Sequence, residues 1–176
     1  AAVTSAVLLA GNPNEWNSYD QKTGKGAKAA KAPAEAKAAP AAAAAPATGG
    51  GVPAAGQPKY KDAVQKIAAK QYGPANDLLN ALAAEYPQVP EIFASRCSAQ
   101  LGLQHWAAAE ADCAYSLNFK QLPTAIYGLA VAEDGQAKYG QAIAHYRQFA
   151  ALPDAAPALK TQATDRADLL AKAANP

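Results

Sequence analysis

Residues 138–153 read KYGQAIAHYRQFAALP and contain the pattern that decides the fold of this chain. Tyr139 stands three residues before Ala142, and the larger Tyr146 follows four residues after that alanine. Intervals of three and four residues place side chains on one face of an α-helix. The stretch therefore predicts a helix with a small residue in the middle of its packed face.

The same spacing occurs twice more upstream of this stretch. The earlier copies are Tyr72, Ala75, Leu79 and Trp106, Ala109, Cys113. The central alanines of the three copies recur at intervals of 34 and 33 residues. Self-similarity at such a period is typical of arrays of helical hairpins.

With this period, residues 57–153 resemble the tetratricopeptide repeat family. The family has a small residue in the first helix of each hairpin, matched here by Ala63, Cys97 and Ala130. A proline usually ends each unit; Pro87 matches, and Pro123 and Pro153 lie close to the expected places. The resemblance implies an all-α fold: a short right-handed helical solenoid of three hairpins plus a C-terminal capping helix, behind an extended Ala/Pro/Lys-rich N-terminal arm.

The resemblance also implies a concave groove lined by the first helices. The matching positions are Tyr60, Val64, Ile67, Ala94, Ser98, Leu101, Thr124, Tyr127, Val131 and Asp134. This lining is mostly apolar, which suits an apolar or amphipathic peptide. It holds no lysine, arginine or asparagine, so a clamp for a terminal carboxylate is not expected. The alternative is a shallow groove in which the tyrosines only pack against neighbours.

Four segments are predicted along the chain. Residues 1–20 form an apolar and aromatic tip, 21–57 a tether, 58–155 the three hairpins, and 156–176 the capping helix with the C-terminus. Leu159, Ala163, Ala167, Leu170 and Ala171 would give that helix one apolar stripe with which to cover the last hairpin.

The tether is rich in alanine, proline and lysine, and the three consecutive glycines Gly49, Gly50 and Gly51 are expected to make it flexible at that point. Such a composition cannot bury enough apolar surface to fold alone. It is expected to be a spacer or a segment that becomes ordered along a partner. In the tip, Trp16 and Tyr19 form a candidate docking peptide, although the tip could equally be the remainder of an export signal.

Cys97 and Cys113 fall on the two helices of the second hairpin, which is expected to turn near Gln104. They could form a disulfide, as in an exported protein, or remain two buried thiols. His105 and His145 belong to different hairpins and have no cysteine or carboxylate at ligand spacing. No catalytic residue, metal site, cofactor or small-molecule substrate is predicted.

The net charge of +2 argues against strong electrostatic capture of nucleic acid. The longest apolar run near the start is residues 6–10, far shorter than the roughly 20 residues of a membrane span. The start at Ala1 and the Ala/Pro-rich spacer suggest a processed protein that is exported to the periplasm or cell surface, or imported into an organelle.

Three functions follow as expectations. The first is an adaptor or scaffold, and the second is an accessory subunit whose N-terminal arm runs along its neighbours; in both, other proteins bind the groove and the arm. The third is a secretion-type chaperone that holds an amphipathic peptide of its client, which a reduced Cys97–Cys113 pair would favour. An enzyme is not expected, because no catalytic constellation is visible.

Overall fold

The computed structural model describes residues 51–174. These residues form seven α-helices and contain no β-strand, which confirms the all-α prediction for this part of the chain. The helices are α1 Gln57–Ala68, α2 Tyr72–Glu85, α3 Pro90–Gly102, α4 Trp106–Leu117, α5 Pro123–Gly135, α6 Tyr139–Ala150 and α7 Pro157–Ala174.

Consecutive helices pack as hairpins: α1 with α2, α3 with α4, and α5 with α6. Helix α7 packs on α6, at the end of the row. Helix α3 also contacts both α1 and α5, so the first helices of the three hairpins lie side by side. This repeat-like arrangement fits the predicted helical solenoid.

Proline marks the start of each first helix after the first hairpin. Pro90, Pro123 and Pro157 open α3, α5 and α7. Proline is well placed there, because the missing amide hydrogen would have no partner within the helix and the ring fixes a helical φ. Of the two displaced prolines in the repeat pattern, Pro123 is a helix start, whereas Pro153 lies in the turn before α7.

The turn inside each hairpin repeats in backbone detail. Lys70, Gln104 and Ala137 have φ angles of 59°, 59° and 60°, although none is glycine. In each turn the next amide reaches back five residues, as from Gln71 to the carbonyl of Lys66, at 2.8–2.9 Å. This left-handed closure satisfies the last carbonyls of the first helix and reverses the chain.

Small residues let the two helices of each hairpin approach closely. Six of them are fully buried: Ala63, Ala75, Cys97, Ala109, Ala130 and Ala142. Larger side chains fill the space around them in three neighbouring core clusters. The small positions of the sequence pattern are thus fully buried in the packed faces of the hairpins.

Glycines make the contacts between successive hairpins. A side-chain carbon on Gly102 would collide with the Tyr72 ring of the preceding hairpin. A carbon on Gly135 would lie 2.5 Å from the Trp106 ring in the same way. The aromatic residues that open α2 and α4, Tyr72 and Trp106, therefore pack against the ends of α3 and α5.

The packed part of the chain begins ahead of residue 58, where the hairpins were predicted to start. Val52 is buried in the first core cluster, and its carbonyl accepts a 2.6 Å hydrogen bond from the Gln57 side chain. A side-chain carbon on Gly56 would lie 2.7 Å from the Tyr86 ring. Val52 and Gly56 consequently pack at the end of α2, so this part of the predicted tether is anchored to the first hairpin.

The far end is covered by α7, which is the longest of the described helices with 18 residues. Four residues of its predicted stripe, Leu159, Ala163, Ala167 and Leu170, are buried against α5 and α6, and Ala171 is partly exposed. The tip and most of the tether, residues 1–50, lie outside the described residues.

Candidate interaction surface

Most of the predicted groove residues are buried. Three are partly exposed, namely Tyr60, Val64 and Val131, and they are called the inner row below. The other seven are at most 8% exposed: Ile67, Ala94, Ser98, Leu101, Thr124, Tyr127 and Asp134. These seven side chains pack in the interior and do not offer a surface to a partner.

The position of Tyr127 gives a physical reason for this burial. Its ring packs against Tyr146 and Phe149 of α6, with centroids 5.9 and 5.0 Å apart. Burial, with a smaller contribution from the charge of Asp134, raises the pKa of Tyr127 to about 12. The side chain therefore faces its own hairpin and not an open groove.

Asp134 is likewise occupied inside the molecule. Its two carboxylate oxygens accept hydrogen bonds of 2.6 and 2.9 Å from Arg166 of α7. The hydroxyl of Tyr146 donates a third at 3.3 Å. The carboxylate thus fastens α7 to α5, and it is not available to a ligand.

Tyr60 shows how the inner row is built. Its hydroxyl is 2.8 Å from the Ser95 hydroxyl and donates to the Glu91 carbonyl at 3.3 Å. Burial raises its pKa, while the bond with Ser95 opposes the rise. Tyr60 and Val64 are both partly exposed, so a partner would meet apolar side chains while the Tyr60 hydroxyl is already hydrogen-bonded.

The second hairpin holds the disulfide that the sequence allowed. Cys97 of α3 and Cys113 of α4 are joined, with Cα atoms 5.5 Å apart. Both residues are fully buried. Gly128 of α5 covers the bond: a side-chain carbon there would lie 2.7 Å from the Cys113 sulfur and 3.1 Å from the Cys97 sulfur.

The remaining partly buried charges also pair within the array. Arg96 donates to both oxygens of Asp112 at 2.6 and 2.5 Å, across the second hairpin. Burial raises the pKa of Asp112, and Arg96 opposes the rise. The Nδ1 atom of His145 is 2.7 Å from Glu133, so this histidine packs inside the third hairpin. Within residues 51–174 no cluster of His, Cys, Asp and Glu could hold a metal ion.

Sequence reasoning missed an aromatic surface at the edge where one hairpin passes to the next. The Phe93 and Tyr115 rings lie 4.4 Å apart, and Phe119 stacks on Tyr115 at 5.2 Å. Phe93 is buried whereas Phe119 is 46% exposed, so the stack runs from the core to the surface. The available signal was the spacing of four between Tyr115 and Phe119 at the end of a helix.

The surface therefore belongs to an all-α array of helical hairpins, which carries the inner row and the aromatic surface of Phe93, Tyr115 and Phe119. Comparison with protein families, curated proteins and solved structures finds no match to this chain. None of the helices between residues 51 and 174 is long and apolar enough to cross a membrane.

Proposed function

We propose that this protein is a non-catalytic interaction module, an adaptor or accessory subunit of a larger protein assembly, built on a short right-handed array of tetratricopeptide-type hairpins. The observation that carries the proposal is the threefold recurrence of one hairpin, down to the left-handed residue of each turn. Hairpins that stack side by side give an extended, preorganised surface on which a partner can bind without ordering the protein first.

The partner site on the array is the inner row. Tyr60, Val64 and Val131 are apolar, partly exposed and carried by first helices that lie in one row. Such a row fits the apolar face of an amphipathic segment. The N-terminal arm, residues 1–50, is the second site and carries Trp16 and Tyr19 as its aromatic anchors.

The disulfide supports a place outside the reducing cytosol, such as a periplasm, a cell surface or the lumen of an organelle, because disulfides persist in oxidising compartments. The secretion-type chaperone expects two reduced thiols, so the disulfide favours the exported adaptor instead.

The test begins with purification of the tagged full chain from its native source after gentle cross-linking. A partner present in fixed stoichiometry is then purified, and its affinity is measured by calorimetry. The inner-row variant Val64→Lys/Val131→Lys is compared with a control, Ala81→Lys/Ala144→Lys, which adds the same charges at exposed positions of second helices.

Binding through the inner row predicts at least about tenfold weaker affinity for the inner-row variant and a change of less than about twofold for the control. Removal of residues 1–50 separates the two forms of the proposal, because an accessory subunit held by its arm loses the complex and a groove-binding adaptor keeps it. The proposal would be contradicted if both lysine variants and the truncated chain bound the partner with the same affinity as the wild-type chain. The absence of any stoichiometric partner would contradict it as well.

A further inference from the structure

The aromatic edge, formed by Tyr86, Phe93, Tyr115 and Phe119, has no use in the proposed function. Its outermost ring, Phe119, follows the end of α4, and Tyr115 is half-buried beneath it. The Tyr115 hydroxyl donates a 3.0 Å hydrogen bond to the carbonyl of Pro87. The edge is therefore continuous from Tyr86, through its neighbour Pro87, to Phe119.

The chain enters the described structure at one end of this same edge. Residues 52–56 belong to the Ala/Pro/Gly-rich stretch, and Gly56 packs closely against Tyr86 and Val52. Val52 is buried and Pro53 is half-buried there. The last part of the low-complexity stretch thus already uses an aromatic ring of this edge as its docking surface.

We propose that the preceding part of the stretch, residues 40–46, docks on Tyr115 and Phe119 of the same molecule and extends the contact that residues 52–56 make with Tyr86. The occupant of the aromatic edge is then a proline-bearing extended segment of this chain.

The chemistry of the segment fits the surface. Residues 40–46 read PAAAAAP. Pro40 and Pro46 are six residues apart, which is about two turns of a polyproline II helix, so in that conformation both rings would lie on the same side. Polyproline II segments bind aromatic-lined surfaces at low entropic cost, because the free chain already favours that conformation.

The reach is also sufficient. Six residues lead from Pro46 to Val52, which span about 19 Å at about 3.1 Å per residue. The step to be covered is short, because the single residue Tyr115 bridges it: its hydroxyl is 3.0 Å from the Pro87 carbonyl, and its ring centroid is 5.2 Å from that of Phe119. Residues 49–51 are glycines, which allow the chain to turn between the two contacts.

Paramagnetic relaxation in the full chain tests the proposal. The two native cysteines are joined to each other, so a new cysteine in Ala43→Cys takes the only nitroxide label. Docking predicts strong broadening of the amide signals of residues 115–120. Adding Phe119→Ala should reduce that broadening by at least about threefold, since an aromatic anchor is removed. Leu169→Ala, which removes an apolar side chain that is 48% exposed on α7, should leave it unchanged.

A mixture of spin-labelled unenriched chain and unlabelled ¹⁵N-enriched chain identifies the source of the contact. Broadening in that mixture as strong as in the single-molecule experiment would show that a second copy occupies the edge, which overturns the proposal. Absence of broadening at residues 115–120, or broadening that Phe119→Ala leaves intact, overturns it as well. These outcomes do not bear on inner-row binding, whose test uses other residues.

Discussion

At the scale of single residues, Gly128 is a position where one added methyl group meets no free space. It lies inside α5 with its Cα over the Cys97–Cys113 bond. Glycine in a helix interior costs about 1 kcal/mol relative to alanine, so its presence here needs a packing reason. The closeness of the two sulfurs is that reason.

We expect Gly128→Ala to lower the free energy of unfolding by about 1–3 kcal/mol, because overpacking against the disulfide outweighs the gain in helix propensity. Gly140→Ala, in α6 with open space around it, is the matched control and should be neutral or slightly stabilising. Urea denaturation measures both. In a Cys97→Ala/Cys113→Ala background the cost at position 128 should largely disappear; an undiminished cost would show that the sulfurs are not its cause.

Ala137 is a second residue at which local conformation sets the stability. Its φ of 60° is unfavourable for any side chain with a Cβ atom. We expect Ala137→Gly to raise the free energy of unfolding by about 1 kcal/mol. The control Ala144→Gly removes the same methyl group from an exposed helical position and should cost about 1 kcal/mol. If the two variants shift the urea midpoint in the same direction, the turn conformation is not the source of strain.

At the scale of the elements, the last helix is fastened by the Arg166–Asp134 pair. Asp134 is almost fully buried, and the bidentate bond joins α7 to α5. Loss of one partner strands the other charge in the interior. We expect Arg166→Ala to cost about 3–5 kcal/mol and Asp134→Ala/Arg166→Ala to cost less than the single change. Thermal unfolding of the wild type, the single variants Arg166→Ala and Asp134→Ala, and the double variant gives the coupling energy between the two side chains. A double variant less stable than Arg166→Ala would contradict this account.

Glu110 makes a more exposed link between α4 and the turn before α6. Lys138 donates to its two oxygens at 2.8 and 2.6 Å, and Gln136 donates at 2.5 Å. Partial burial raises the pKa of Glu110, but the bonds from Lys138 and Gln136 and the charge of Lys138 outweigh it, so the pKa lies below the ordinary value of 4.5.

A carboxyl whose pKa is lower in the folded state stabilises the fold above its unfolded pKa, and that stability is lost as the pH falls through the folded value. Glu110→Gln should therefore remove a contribution of under about 1 kcal/mol at neutral pH. Below the folded pKa the variant and the wild type should converge. Urea midpoints measured from pH 7 to pH 3 test this, and a constant difference across that range would assign the effect to packing.

Periodicity predicted the elements well, because the close contacts inside a hairpin depend on spacing along the chain. Ala75, Ala109 and Ala142 are the clearest example. Burial of the first-helix faces depends on how neighbouring hairpins approach one another, and no local pattern encodes that distance. Tyr127 and Asp134 therefore looked like groove residues, although they contact α6 and α7. The sequence likewise provided no reason for the glycines at positions 102 and 135. The structure supplies that reason, because each glycine packs against an aromatic ring of the preceding hairpin.

At the scale of the whole molecule, the two ends of the row carry polar faces. On α1, Pro58, Lys61 and Gln65 are exposed, whereas the matching positions of α3 and α5 are buried: Ile92, Ser95, Ala99, Ala125, Gly128 and Ala132. The outward face of α7 is mainly polar, with Thr161, Asp165 and Lys172 exposed. Polar outer faces of this kind let a short array of hairpins stop without exposing its core. Within residues 51–174, the outer faces of α1 and α7 are thus more polar than the faces between the hairpins.

The central disulfide then acts on the whole array, because the second hairpin contacts both of its neighbours. The bond closes a loop of 16 residues, which should stabilise the fold by about 3 kcal/mol. Both sulfurs are buried under α5, so a reductant can reach the bond only after the hairpins separate. We expect dithiothreitol to reduce the native protein far more slowly than the urea-unfolded protein, as followed by alkylation and mass spectrometry. The reduced chain should then unfold at a clearly lower urea concentration. Equal reduction rates for the native and unfolded chains would mean that the bond is reached without opening the array. The disulfide would then be a candidate redox switch and not a structural bond suited to an oxidising compartment.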